Sequence, residues 1–252
     1  MKIAEDFRRI AREVLKGKWL IAVVVGLAAS LLGGVASQGP QFNFNINASD
    51  VSAESGRNII SSATSGIFNA DIIRLIAGLA GIFLIIAIVI GVVYFLLGSF
   101  VGVGYAKFNL NLVDRKEPAF ETLFEYFSHW KVTAVTKLLR GVYVFLWSLL
   151  FVVPGIVAGF SYAMTEYILA ENPELTATQA IEKSKSMMYG NRWRLFCLQF
   201  SFIGWDLLAA LTFGIGNLWL TPYKQAAVAA FYREVSGTEF YSAENEYIPE
   251  DK

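Results

Sequence analysis

Apolar runs long enough to cross a lipid bilayer are the feature of this sequence that most constrains its fold. The longest run, residues 72–105, is nearly free of charge and exceeds the roughly 20 apolar residues that a helix needs to cross the hydrocarbon. Charged residues are only 17% of the chain, whereas a soluble domain has about 25%. The sequence therefore predicts an all-α, polytopic membrane protein.

Turn residues divide the apolar sequence into six transmembrane helices, which we expect to form three hairpins. Pro154-Gly155 interrupts one run, and Gly214 with Gly216 interrupts another. The run 72–105 is too long for one crossing, so its helix must tilt, break at a glycine or extend into the cytoplasm. The predicted spans are residues 19–35, 72–105, 132–152, 156–170 and the two arms of 195–231.

The distribution of positive charge predicts that both termini are cytoplasmic. Basic residues gather before the first span and in the loops after the second and fourth spans, whereas the loop 36–71 has only Arg57. Short loops rich in Lys and Arg stay on the cytoplasmic side of a membrane. We therefore expect a multi-pass protein of the cell membrane. It would have one membrane domain, residues 1–235, an external loop, residues 36–71, and an acidic cytoplasmic tail, residues 236–252.

Three amphipathic helices are predicted at the membrane interface, each ending at a tryptophan that precedes a span. Apolar residues recur at helical spacing in residues 3–15, 120–130 and 177–188. Thr176 with Gln179 fits a capping box at the start of the third. Tryptophan is enriched where a membrane meets water, so these residues are expected to act as interfacial anchors. The anchors are Trp19, Trp130 and Trp193.

The order of surface helix, tryptophan and hairpin recurs along the chain. This recurrence predicts three parallel repeats, residues 1–106, 117–170 and 176–233. The alternative is that tryptophan and lysine gather at every membrane interface without any repeat. Superposition of the three hairpins would distinguish the two interpretations.

Among the charged residues inside the predicted spans, the candidates for a functional site are Arg140, Glu166, Asp206 and Lys224. In antiparallel hairpins, Arg140 lies at nearly the depth of Glu166, and Asp206 lies at the depth of Lys224. An unpaired charge in hydrocarbon costs on the order of several kcal/mol, so opposite charges at one depth are expected to pair. We interpret the pairs as structural clamps. The alternative is a polar pathway or a site for lipid headgroups.

Small residues in the first two spans predict close packing of helices. Gly98 and Gly102 form a G-x-x-x-G pattern in an apolar run, and Gly26 and Gly33 line the first span. Such faces serve packing within one chain or formation of a homo-oligomer. Packing within the chain is favoured because six helices are available to supply it.

Motifs of common enzyme classes are missing from the sequence. It has no phosphate-binding G-x-x-x-x-G-K-[ST] loop, no G-x-S-x-G motif and no H-E-x-x-H motif. With one histidine, His129, and one cysteine, Cys197, we expect no histidine-rich or cysteine-rich metal site and no cofactor. A formal net charge of zero argues against nucleic-acid binding. We therefore do not expect an enzyme.

Several segments are distinctive enough to carry a family resemblance. The most specific are FLWSLLFVVPGIVAGFSYAMTEYILAENPEL, residues 145–175, and AIEKSKSMMYGNRWRLF, residues 180–196. With residues 15–19, 114–120 and 202–223, they resemble an uncharacterised bacterial integral-membrane family, the domain of unknown function 975. The resemblance covers most of residues 1–235 and implies a membrane protein without implying an activity. The architecture is also similar to the membrane portion, without catalytic residues, of some bacterial glycerophosphodiester phosphodiesterases.

Two functions from different classes fit these observations. The first is a non-enzymatic scaffold or accessory protein that presents interfacial helices and an acidic tail to an unknown protein partner. The alternative is a small-solute transporter or lipid-handling protein, in which the charge pairs line a path and the basic cytoplasmic face attracts anionic lipids. A membrane-embedded hydrolase that uses Asp206 or Glu166 is the least favoured hypothesis.

Overall fold

The structure is a computed structural model, which describes residues 2–34, 70–212 and 214–237. All regular secondary structure in these residues is helical. Two short 3₁₀ helices, Phe120–Leu123 and Glu125–His129, precede the fourth α-helix. The α-helices are α1 (Ala4–Leu15), α2 (Trp19–Leu31), α3 (Ala70–Val113), α4 (Trp130–Leu150), α5 (Val152–Ser161), α6 (Thr165–Glu171), α7 (Ala177–Met187), α8 (Arg192–Phe200), α9 (Ile203–Leu211) and α10 (Asn217–Ser236).

The chain divides into two compact units. One comprises Met1–Pro40 together with Tyr94–Lys252, and the other comprises Gln41–Val93. The described part of the second unit belongs to α3, where the side chains of residues 78–93 are exposed and almost all apolar. A helix that is apolar on every side is typical of a segment surrounded by lipid.

Four helical stretches are long and apolar enough to cross a membrane: Gly78–Val113, Phe120–Leu150, Val152–Glu171 and Arg192–Leu211. The pair of α1 and α2, bent by 105°, adds a fifth if it counts as one broken span. In the described residues, α10 does not qualify as such a membrane-crossing stretch. It carries three charged side chains, Lys224, Arg233 and Glu234. The prediction of a helical membrane protein is confirmed. Six spans and their arrangement as hairpins stay a prediction.

The long apolar run folds as part of a single helix, because α3 continues through its glycines to Val113. A Cβ atom at Gly98 would overlap the carbonyl oxygen of Gly33, and one at Gly104 would overlap that of Leu123. The sequence allowed this helix to tilt, to break at a glycine or to extend into the cytoplasm. The structure excludes a break at these glycines. These glycines instead let neighbouring backbone approach α3 closely.

The core of the first unit forms where α1 packs along α10. Phe7 of α1 is 1% exposed and meets Phe231 of α10 edge to face, with ring centroids 5.4 Å apart. Ala11 and Leu15 complete this face, and both are fully buried. Most of the apolar face that the sequence assigned to the membrane interface is therefore covered by the protein itself, whereas Ile3 at its start is exposed.

The other two predicted surface helices differ in their local structure. At α7, the capping box is confirmed, since the backbone N–H of Thr176 donates to Oε1 of Gln179 at 3.0 Å. Residues 120–129 form the two 3₁₀ helices instead of an α-helix, with Phe127 exposed and Tyr126 buried. The triple repeat stays a prediction. The external loop, residues 36–71, and the acidic tail, residues 236–252, lie almost entirely outside the described residues.

Candidate functional site

The structure brings Arg140 and Glu166 together between α4 and α6. Arg140 Nη1 donates to Glu166 Oε1 at 3.3 Å, and the two side chains are only 14% and 13% exposed. The α4–α5 turn at Phe151 reverses the chain, and α6 continues the returning arm, so residues 26 positions apart meet at one level. An ion pair this well covered is costly to break, because the remaining charge would lose this salt bridge while staying largely buried.

The Arg140–Glu166 pair belongs to a larger polar cluster that sequence reasoning did not find. Lys137 donates from Nζ to the carbonyl oxygen of Gly33 at 3.1 Å, just beyond the end of α2. Ser99 of α3 and Thr133 of α4 are hydrogen bonded to each other at 3.4 Å. The spacing of Lys137 and Arg140 by three residues was the available signal, since it puts both on one helix face.

The space inside this polar cluster is very small. Its cavity has a volume of about 10 Å³, which is close to the minimum that one water molecule needs. Side chains from α3, α4 and α6 close it, and they include Thr136 and Thr165 as well as the charged residues. The cluster therefore has the dimensions of a packed polar contact and not of a solute path.

Asp206 of α9 and Lys224 of α10 form a salt bridge on a partly exposed surface of these two helices. Lys224 Nζ of α10 donates to Asp206 Oδ1 of α9, with side chains 34% and 42% exposed. Gln225, the next residue in α10, accepts a hydrogen bond from Tyr167 Oη at 3.4 Å. This pair is thus more open to the surroundings than Arg140–Glu166.

A third charge cluster, more buried than Asp206–Lys224, joins the ends of α3, α6 and α10. Arg233 donates from Nε and Nη2 to the two carboxylate oxygens of Asp114, at 2.8 and 2.6 Å. Its Nη1 donates to Glu171, which also accepts from Tyr232 Oη. Burial acts to lower the pKa of Arg233, but the hydrogen bonds to Asp114 and Glu171 outweigh it, so the pKa is raised. Sequence reasoning missed this cluster because Asp114, Glu171 and Arg233 lie outside the predicted spans, where charges were not considered for pairing.

Arg194 forms hydrogen bonds with residues near both ends of the described chain. Its Nη2 donates to Glu234 at 2.6 Å and to the backbone oxygen of Lys2 at 2.9 Å. The backbone N–H of Lys2 also donates to Glu234, at 3.1 Å. The guanidinium lies 5.5 Å from the ring centroid of Phe231, a distance typical of cation–π contact. Residues 2 and 234 therefore lie at the same end of the helices.

The three tryptophans predicted as interfacial anchors have different surroundings. Trp193 is 71% exposed and stacks on Phe196, and Trp130 is 40% exposed with Lys131 beside its ring. Trp19 is half-buried and contacts Tyr223, at 6.5 Å between ring centroids. Their anchoring of the chain at a membrane interface stays a prediction.

Comparison with known proteins identifies a family over part of the chain. Residues 149–239 match the model of a family described as protein of unknown function (DUF975). The match bears out the resemblance seen in the sequence and contains α5 to α10, including Glu166, Asp206 and Lys224. Comparison with curated proteins and with solved structures finds no match. Similarity to glycerophosphodiester phosphodiesterases stays a prediction.

Proposed function

We propose that this protein is a non-enzymatic scaffold or accessory protein of the bacterial cell membrane, whose intramembrane ion pairs hold its helices in place. The observation that carries the proposal is the small volume, about 10 Å³, around Arg140 and Glu166. A transport path needs connected space for its solute, and this cluster has room for about one water molecule. Its contacts join α4, α6 and the end of α2, as expected of a clamp.

The positions of the basic segments support cytoplasmic termini. Lys18 Nζ donates to the backbone oxygen of Lys116, and Arg194 contacts Lys2. Segments from three basic regions of the sequence thus lie at one end of the structure. Because short basic loops stay in the cytoplasm, we assign this end to the cytoplasmic side. A scaffold would offer partners this face, together with the acidic tail.

A double-mutant cycle tests the clamp. We expect Arg140→Gln and Glu166→Gln each to lower the melting temperature in detergent, because each removes one half of a largely buried salt bridge. The double variant should be more stable than the sum of the two losses predicts, by a coupling energy of about 1–3 kcal/mol. The Asp206→Asn variant is the comparison, and its loss should be smaller since that pair is more exposed.

Reconstitution into proteoliposomes tests the alternative that the charge pairs line a transport path. We expect wild-type protein to move neither a panel of small solutes nor labelled phospholipid faster than empty vesicles. If transport is seen, and if Glu166→Gln abolishes it while leaving the melting temperature unchanged, the clamp proposal is wrong. Additive losses in the double-mutant cycle would also contradict it, because a clamp requires coupling between its two charges.

A further inference from the structure

A large amphipathic groove lies beside the hairpin of α4 and α5. It has a volume of about 650 Å³, within the range of roughly 300–1,000 Å³ that is typical of ligand sites. Helix α7 and the first residue of α8 form its other wall. We propose that this groove binds one anionic glycerophospholipid from the bilayer, with the lipid phosphate at Arg192 and Lys185 and an acyl chain along the hairpin.

The polar end of the groove is lined by two cationic side chains, those of Lys185 and Arg192. Arg192 Nε is buried and has no hydrogen-bond partner among the described residues. Neither Arg192 nor Lys185 forms a salt bridge with a described residue. Buried N–H groups are nearly always hydrogen bonded, and a phosphate oxygen forms a strong, charge-assisted bond with a guanidinium.

The apolar end of the groove is suited to an acyl chain. Trp147 of α4 and Pro154 and Val157 of α5 line it. Beyond them, the tip of the hairpin exposes Leu149, Phe151 and other apolar residues, which are 75% and 70% exposed at these two positions. The α4 segment from Tyr143 to Leu150 rises about 10 Å at 1.5 Å per residue. A lipid chain lying along this wall would cover part of that apolar surface.

The wall formed by α7 is held rigidly against the hairpin. Ser184 Oγ donates to the backbone oxygen of Ser161 at 2.9 Å and accepts from the backbone N–H of Met164 at 3.2 Å. Ile181 packs against Ala158 and Tyr162 on the same side. The opposite face of α7 is polar and exposed. The groove is therefore a preformed feature with polar and apolar ends.

Charge matching selects the class of lipid. Besides Lys185 and Arg192, the groove is lined by one acid, Glu182, so its formal charge is +1. A phospholipid with a net charge of −1 neutralises this site, whereas a zwitterionic lipid does not. The Glu182 carboxylate accepts hydrogen bonds, which favours a headgroup with hydroxyl donors beyond the phosphate. Phosphatidylglycerol has this chemistry, and phosphatidylcholine lacks it.

Native mass spectrometry of the full chain, released from nanodiscs of defined lipid, tests this site. We expect wild-type protein to retain one phosphatidylglycerol in preference to phosphatidylcholine. The double variant Lys185→Gln/Arg192→Gln should bind phosphatidylglycerol about 10–100-fold more weakly, through loss of charge-assisted hydrogen bonds. Glu182→Gln should keep binding phosphatidylglycerol but discriminate less against phosphatidylcholine.

The matched control removes two positive charges outside the groove. Arg9→Gln/Lys183→Gln changes two exposed residues that do not line the groove, and we expect its affinity to stay within about twofold of wild type. Equal losses in both double variants would show that general surface charge attracts the lipid, which overturns the site. Equal retention of phosphatidylcholine and phosphatidylglycerol by wild type would overturn it too. Circular dichroism of each variant verifies that it is folded.

This inference is independent of the scaffold proposal. A scaffold retains its lipid without moving it, so bound phosphatidylglycerol with no lipid transfer supports both conclusions. Transfer of labelled lipid that requires Arg192 would instead support the lipid-handling alternative and contradict the scaffold. Absence of any retained lipid would contradict the site and leave the clamp test unaffected.

Discussion

The Arg233→Gln substitution is expected to destabilise the protein by about 3–5 kcal/mol, the usual cost of removing one partner from a buried ion pair. The Arg233 side chain is 10% exposed, and its loss removes its salt bridges to the partly buried carboxylates of Asp114 and Glu171. Asp114 then keeps only the longer, exposed contact with Lys116, at 3.8 Å. These carboxylates lie at the ends of α3 and α6, whereas Arg233 belongs to α10. The substitution therefore removes a link between three helices that are far apart in the sequence. We expect the melting temperature in detergent to fall by roughly 6–20 °C.

Two comparisons separate loss of charge compensation from loss of a side chain. Arg9→Gln removes an arginine that is 65% exposed and pairs with Asp6, and its expected effect is at most about 1 kcal/mol. Adding Asp114→Asn and Glu171→Gln to Arg233→Gln should recover stability, because no unpaired charge is left. If Arg233→Gln melts within a degree or two of wild type, the cluster does not hold these helices together.

The Gly98→Leu substitution is expected to cost about 3 kcal/mol, at the upper end of the range for overpacking. Even a Cβ at this position overlaps the carbonyl oxygen of Gly33, and Lys137 Nζ would lie 2.9 Å away. Backbone atoms cannot rotate aside as a side chain does, so α2 must move from α3. That movement also disrupts the hydrogen bond from Lys137 to Gly33. Thermal unfolding measures the loss.

The matched control is Gly91→Leu in the same helix. Apart from its own helix backbone, no atom of the described residues lies within 4 Å of a Cβ built at Gly91. Leucine also has a better helix propensity than glycine. We therefore expect stability to be unchanged or slightly increased. Gly98→Ala should fall between the two, because it adds only the Cβ atom. If the Gly98 and Gly91 variants are equally stable, the close contact with Gly33 does not hold in the folded protein.

The apolar spans, together with the number of residues between each charge and the predicted turn, were enough to predict which charged residues lie at the same depth in the membrane. Counting residues from the predicted turns put Arg140 at the depth of Glu166 and Asp206 at the depth of Lys224, and both pairs are in contact in the structure. Lys137 and Gly33 are in contact because of how α2 ends against α3 and α4, and no local spacing reveals that. The groove likewise needs α7 to lie across the hairpin, which depends on contacts such as Ser184 with Ser161.

The sequence by itself determined the helical membrane class, the capped start of α7 and the two opposite-charge pairs, Arg140 with Glu166 and Asp206 with Lys224. These properties depend on apolar content and on residue spacing along one or two neighbouring helices. Tertiary structure decided that the apolar face of α1 packs on α10, that Arg233 joins three helix ends, and that Arg192 faces a groove. These features depend on packing between segments that are distant in the chain, and hydrophobic pattern alone is compatible with many such packings.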